Sequence, residues 1–151
     1  MAINWCYNEP WITAAGNSLI AYPSVKKPAY YAVKEALRPV MPSARFEHFS
    51  YKPGEMFNAQ LWLLNDSTEA VSDTVNAYIT INGVKEHLIT WETGVAEANT
   101  NISGHTFHYK IPDVPTQMIT VTLEAECGNS EYKFLLRNEQ KTVKVPGALN
   151  V

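Results

Sequence analysis

The residues that could do chemistry cluster at the start of the chain, in Trp5-Cys6-Tyr7-Asn8-Glu9-Pro10-Trp11. Two indole rings flank a short polar turn that carries one carboxylate, Glu9. Pro10 has no N–H to donate, so a strand entering this turn ends there. Trp62 and Trp91 are the other two indoles. They raise a second class of function, a carbohydrate-binding surface, against the alternative of core or interdomain packing. His48, His87, His105 and His108 show no metal-ligand spacing, so no zinc site is expected and these residues read as surface or edge-strand side chains. Cys6 and Cys127 stand far apart and in no metal spacing, and they read as two small buried thiols. Neither a nucleophile elbow, a phosphate-binding loop nor a dinucleotide fingerprint is present.

The elements that must position these residues follow from pattern. Ile3 to Tyr7 is apolar or aromatic apart from Asn4, as in a strand buried on both faces. A polar loop runs from Asn8 to Ser24. From about Lys27 to Arg38 a helix is expected, because Pro28 suits a first turn and Tyr30, Val33 and Leu37 form one apolar stripe. Pro39 and Pro42 stop it. A strand, a polar loop and an amphipathic helix make half of a βα unit, and such a unit needs a parallel sheet to join. Nothing later in the sequence offers one.

From Ala44 onward the composition changes to short alternating segments divided by turn residues, the signature of an antiparallel sandwich. Strands are expected over 44–51, 55–64, 74–81, 84–92, 106–111, 118–125 and 132–136. In the strongest, Phe57, Ala59, Leu61 and Leu63 share one face while Asn58, Gln60 and Trp62 share the other. Asn82-Gly83 is the favoured two-residue hairpin turn. Seven or eight strands at this spacing match an immunoglobulin-like sandwich without a Cys–Trp–Cys core. No internal repeat or low-complexity segment interrupts it.

The bulk numbers are those of a globular protein: 151 residues, 46% hydrophobic, net charge -3. That charge argues against nucleic-acid or acidic-membrane partners. No stretch approaches the ~18 apolar residues of a membrane span. The N-terminus has no basic region followed by an apolar core, so no secretory leader is read in it.

With Tyr22-Pro23 and Lys27-Pro28-Ala29-Tyr30-Tyr31-Ala32-Val33-Lys34 added, the opening forty residues resemble glycoside hydrolase family 2, which holds β-galactosidases, β-mannosidases and β-glucuronidases. In that family the last strand of a (β/α)8 barrel often ends in W-Q-x-N-D-P-W, and a loop leads to a K-P-x-Y-Y-x-x-K helix. Cys6 replaces the usual Gln, and Glu9 the usual Asp. Phe57…Leu61-Trp62-Leu63-Leu64-Asn65-Asp66 is similar to the second strand of the family's C-terminal sandwiches.

The resemblance implies a mainly β chain in which an immunoglobulin-like sandwich follows the last strand, loop and helix of a truncated barrel. Residues 1–41 would be the barrel remnant, 42–140 the sandwich and 141–151 an extension. Retaining glycosidases need two carboxyl groups about 5–5.5 Å apart. The family carries its Asn-Glu acid/base after the fourth barrel strand and its nucleophile after the seventh, whereas these residues match the eighth. Glu9 is therefore expected to accept hydrogen bonds from loop N–H groups, and no catalytic residue, cofactor or metal is assigned. Trp5 would form part of the sugar-binding subsite floor in the intact parent, and Trp11 would line the barrel mouth or anchor the loop. The expected partners are the parent's barrel and, only in the intact enzyme, a β-glycoside. Without that barrel, the helix should pack on the sandwich, self-associate or be loosely ordered. A periplasmic or secreted location fits such a parent, but nothing in these residues fixes it. The alternatives are an independent carbohydrate- or protein-binding sandwich using Trp62 and Trp91, and a small enzyme using Glu9.

Overall fold

The computed structural model describes residues 6–13, 16–115 and 118–137. The expected extension, 141–151, and Ile3 to Trp5 of the expected opening strand lie outside them. The chain divides into two compact units, Met1–Pro39 and Val40–Val151.

In the first unit, β1 (Ile20–Ala21) and β2 (Val25–Lys26) form a small antiparallel hairpin, and α1 spans Pro28–Ala36. Pro28 occupies the first turn, and the Leu37 N–H closes the last by donating to Val33 O. Val33 and Tyr30 are half-buried, but Leu37 is 75% exposed and no residue of α1 is fully buried. Cys6 and Tyr7 are not strand, contrary to expectation, and Tyr7 is exposed. Instead Asn8 bridges Ile20 in parallel, and Tyr7 O accepts from both Leu19 N and Ile20 N.

The second unit is mainly β, a sandwich of two sheets. β3 (Val40–Phe46), β5 (Met56–Asn65) and β8 (Ile102–Lys110) make a three-stranded sheet in the order β3-β5-β8. β4 (Ser50–Tyr51), β6 (Thr74–Ile81), β7 (Val84–Glu92), β9 (Met118–Glu124) and β10 (Ser130–Leu136) make a five-stranded sheet in the order β4-β10-β9-β6-β7. Alternation decides what goes inside. Phe57, Ala59, Leu61 and Leu63 of β5 meet Val75, Ala77 and Ile79 of β6 and Ile119, Val121 and Leu123 of β9 in one core. Asn82 and Gly83, both at positive φ, turn β6 into β7.

Two strand expectations need correcting. The single strand expected over 44–51 is two. β3 begins at Val40 and pairs with β5, and after Phe46 the chain crosses to the other sheet, where Ser50–Tyr51 pairs in parallel with β10. Pro42 lies inside β3 because β3 is an edge strand and its missing N–H breaks no ladder. The crossing lets Phe46 and Tyr51 both reach the core, which a continuous strand would forbid because an odd separation, five positions, puts them on opposite faces.

β8, in turn, starts at Ile102, four residues before the expected strand. Its polar opening, Ser103-Gly104-His105, hides a bulge in which Gly104 and His105 stand opposite Leu61. Gly104 is there because Trp91 lies against its backbone: a Cβ at 104 would sit 2.5 Å from Trp91 Cδ2 and Cε2. Gly104→Ala is expected to lower the stability of this unit by about 1–3 kcal/mol through overpacking. A urea midpoint equal to wild type would show that the indole can move aside.

Candidate functional site

Glu9 is the buried carboxylate of the first unit, 9% exposed, and three segments converge on it. The polar loop delivers Ser18, whose Oγ donates to Glu9 Oε1 at 2.7 Å. Lys27, the residue that precedes α1, brings its Nζ to 2.6 Å from the same oxygen and 2.9 Å from Ser18 Oγ. Tyr22 N reaches Oε2 at 3.4 Å. One loop N–H therefore contacts the carboxylate, as expected, but its shorter hydrogen bonds come from side chains. The Lys27 and Ser18 bonds hold the Glu9 carboxyl below its ordinary value, against the opposing effect of burial.

This cluster works as a clamp. A Ser–Lys contact makes a nucleophile only if the amine has a lone pair to accept the hydroxyl proton. Here both Ser18 Oγ and Lys27 Nζ are turned onto Glu9 Oε1, an arrangement that holds the carboxylate in place. Around the clamp the backbone closes with Glu9 N donating to Ile20 O and Lys27 N to Leu19 O. Glu9→Gln removes the ion pair, and faster amide exchange at Leu19, Ile20 and Lys27 is expected. In the wild type the same loosening accompanies acidification. With a folded value below 4.5, the pair's contribution is present above that pH and lost as pH falls through the lowered value. Exchange rates that are unchanged in the variant would show that the clamp does not order this unit.

Beside the clamp opens a cleft of about 270 Å³, bordered by Cys6, Asn8, Pro10, Trp11 and Asn17 among others. Trp11 is 67% exposed there. Trp5 lies outside the described residues. Nothing in the sequence pattern pointed to Ser18 or Lys27, since neither is near Glu9 along the chain.

In the second unit the two remaining indoles part company. Trp62 is half-buried on the outer face of β5, whereas Trp91 is 5% exposed and belongs to the core. The pairing of Trp62 with Trp91 as one binding platform is thereby corrected: the register of β7 turns Trp91 inward against Gly104. Both cysteines are half-buried thiols with no disulfide between them. Of the histidines, His48 pairs with Glu55 at 3.0 Å and His108 with Asn58 at 2.6 Å. Among the described residues no three His, Cys, Asp or Glu side chains group to hold a metal ion, and no helix is long and apolar enough to cross a membrane.

Fold and site together define a two-sheet β sandwich preceded by a small loop-and-helix unit pinned by one buried carboxylate. No protein-family model matches the chain, and no curated protein matches it significantly. Among solved structures it is similar to a CARDB domain from Pyrococcus furiosus in complex with di-metal ions, at 11% identity and TM-score 0.50, over 65% of this chain and 89% of that one. It is also similar to a β-glucosidase from Listeria innocua in complex with isofagomine, at 12% identity and TM-score 0.46, over 64% of this chain. The match spans only 16% of that β-glucosidase chain. The CARDB likeness bears on the fold alone, a β sandwich.

Proposed function

We propose that this chain is the non-catalytic C-terminal part of a glycoside hydrolase like those of family 2, and that its first unit completes and braces a catalytic barrel. The observation that carries this reading is the surface of that unit. Among its described residues Leu19 is the one buried apolar side chain, while Tyr7, Trp11, Ile12, Val25, Tyr31 and Leu37 stand exposed. So much exposed apolar surface marks an interaction site. The barrel is what the Trp5 to Trp11 and Lys27 to Lys34 motifs name as its cover. Where the barrel is absent, the same surface favours self-association through α1. The strand order β3-β5-β8 against β4-β10-β9-β6-β7, with the opening strand split between the sheets, supports the immunoglobulin-like reading of the second unit.

In the intact enzyme Trp5 would offer its indole to the C–H face of a pyranose, and the Glu9 clamp would hold the loop that follows. The parent's two carboxylates would do the chemistry. The test is to express this chain alone and joined to the reading frame upstream of Met1. Alone it should leave nitrophenyl β-galactoside, β-mannoside and β-glucuronide intact. Joined to an upstream barrel it should hydrolyse one of them, and Trp5→Ala there should lower kcat/KM about 10²-fold, as a misplaced substrate does. Turnover by the chain alone that vanishes in Glu9→Gln would overturn the reading, and so would an upstream frame without βα units.

A further inference from the structure

The outer face of the three-stranded sheet carries a second arrangement, independent of the first unit. Strand register places Trp62 between Ser43 of β3 and Ser103 of β8. Both neighbours are small, and the indole is half-buried. In the next row Gln60 stands between Arg45 and Thr106, and in the row beyond, Asn58 faces His108. His108 Nδ1 lies 2.6 Å from Asn58 Oδ1, which fixes the orientation of that amide. Arg45, Glu47, Asn58, Gln60 and Thr106, with Phe46 and Ala59, line a groove of about 510 Å³, a size in the range of ligand sites. From Trp62 to Asn58 the strip runs roughly 14 Å along β5.

Composition selects the ligand. A protein partner would be met by a continuous patch of apolar anchors, yet Met41 and Leu64 in the row beyond Trp62 are half-buried, and on the other side the rows of Gln60 and Asn58 present polar side chains only. A nucleic acid would need clustered cations, but this face offers only Arg45 and Lys110 in a chain of net charge -3. What remains is one indole in line with amides, a guanidinium and a hydroxyl. A pyranose has the complementary form, a flat C–H face with a rim of hydroxyls. We propose that this face binds a neutral polysaccharide laid along β5, with Trp62 stacking on one ring and Arg45, Asn58, Gln60 and Thr106 bonding the hydroxyls of its neighbours.

The experiment titrates the full chain with galactomannan, arabinoxylan and mixed-linkage β-glucan, by calorimetry and by amide shifts. At least one polysaccharide should bind, shifting amides of β3, β5 and β8. Trp62→Ala should weaken it at least tenfold and Trp62→Phe less. The Arg45→Ala/Gln60→Ala pair, which leaves the indole in place, should weaken it severalfold. Trp11→Ala, in the other unit, should change nothing, so this result and the fate of the proposed barrel contact are separate. Binding to none of the three, binding that survives Trp62→Ala, or shifts confined to the first unit would overturn the proposal.

Discussion

Phe134→Ala is expected to lower the unfolding free energy of the sandwich by about 3–5 kcal/mol. The ring is fully buried in β10 and four others surround it. Phe46 and Phe57 come from the three-stranded sheet, at centroid distances of 4.8 and 5.1 Å. Tyr51 comes from β4 at 5.8 Å, and Phe49 from the crossing between sheets at 6.0 Å. The first three meet it edge-on, an arrangement worth about 0.5–1.5 kcal/mol per pair beyond the area buried. Removing the ring leaves a hole walled by stiff side chains on separate elements. Such a wall collapses poorly, and poor collapse puts a truncation at the costly end of its range. Against a total of about 5–15 kcal/mol, the loss takes a large share of the stability. For a unit near a hundred residues it lowers Tm by roughly 15–30 °C. Leu135→Ala is the control, since Leu135 is exposed beside it and should move stability by no more than about 0.5 kcal/mol. Urea unfolding followed by tryptophan fluorescence reads both. A Phe134→Ala cost under about 1 kcal/mol would mean that the other rings close the gap and that the hub is elsewhere.

Asn65→Asp is expected to cost about 3–5 kcal/mol at neutral pH without creating a cavity, because the two side chains have the same shape. Asn65 is fully buried at the end of β5. Its Nδ2 faces three backbone carbonyls, Glu69 O at 2.8 Å, Glu97 O at 2.9 Å and Ala96 O at 3.1 Å. Its Oδ1 accepts from Ser67 N and Ser67 Oγ, at 3.0 and 2.6 Å. One amide thus ties the turn after β5 to the turn before β8. Aspartate keeps the acceptor side but offers no N–H to the carbonyls, and when ionised it places a buried charge against their negative ends. The neutral acid is the better tolerated form, so in the variant this carboxyl titrates higher folded than unfolded. The folded state then binds more protons, and the variant loses stability as pH rises from about 4. Its deficit against wild type should therefore be largest near pH 7 and narrow towards pH 4. Equal urea midpoints for variant and wild type at pH 7 would show that the three carbonyls find water instead.

What this sequence determined by itself is whatever depends on neighbours along the chain. The two-residue period put Phe57, Ala59, Leu61 and Leu63 on one side of β5, and Val75, Ala77 and Ile79 on one side of β6, because a pleated backbone allows no other arrangement. Asn82-Gly83 marked its hairpin because few residue pairs accept positive φ twice, and Pro28 marked the start of α1. What only the tertiary structure decided is which distant groups meet. The alternation through Phe46 and Tyr51 read as one strand until the need to place both in a single core sent the chain across to the second sheet. Ser103-Gly104-His105 fell outside the strand expected over 106–111 because the reason for glycine, the Trp91 indole, lies on another strand. Trp62 and Trp91 looked alike in sequence, yet one ended on the outer face of β5 and the other in the core. Asn65 lay just past the strand expected over 55–64, yet its hydrogen bonds reach to Glu97 and Asn101. Glu9 found Ser18 and Lys27 only when the loop closed. Backbone geometry acts over a few residues and leaves a period to read, whereas a buried polar group takes whichever partner chain closure delivers, at no fixed spacing.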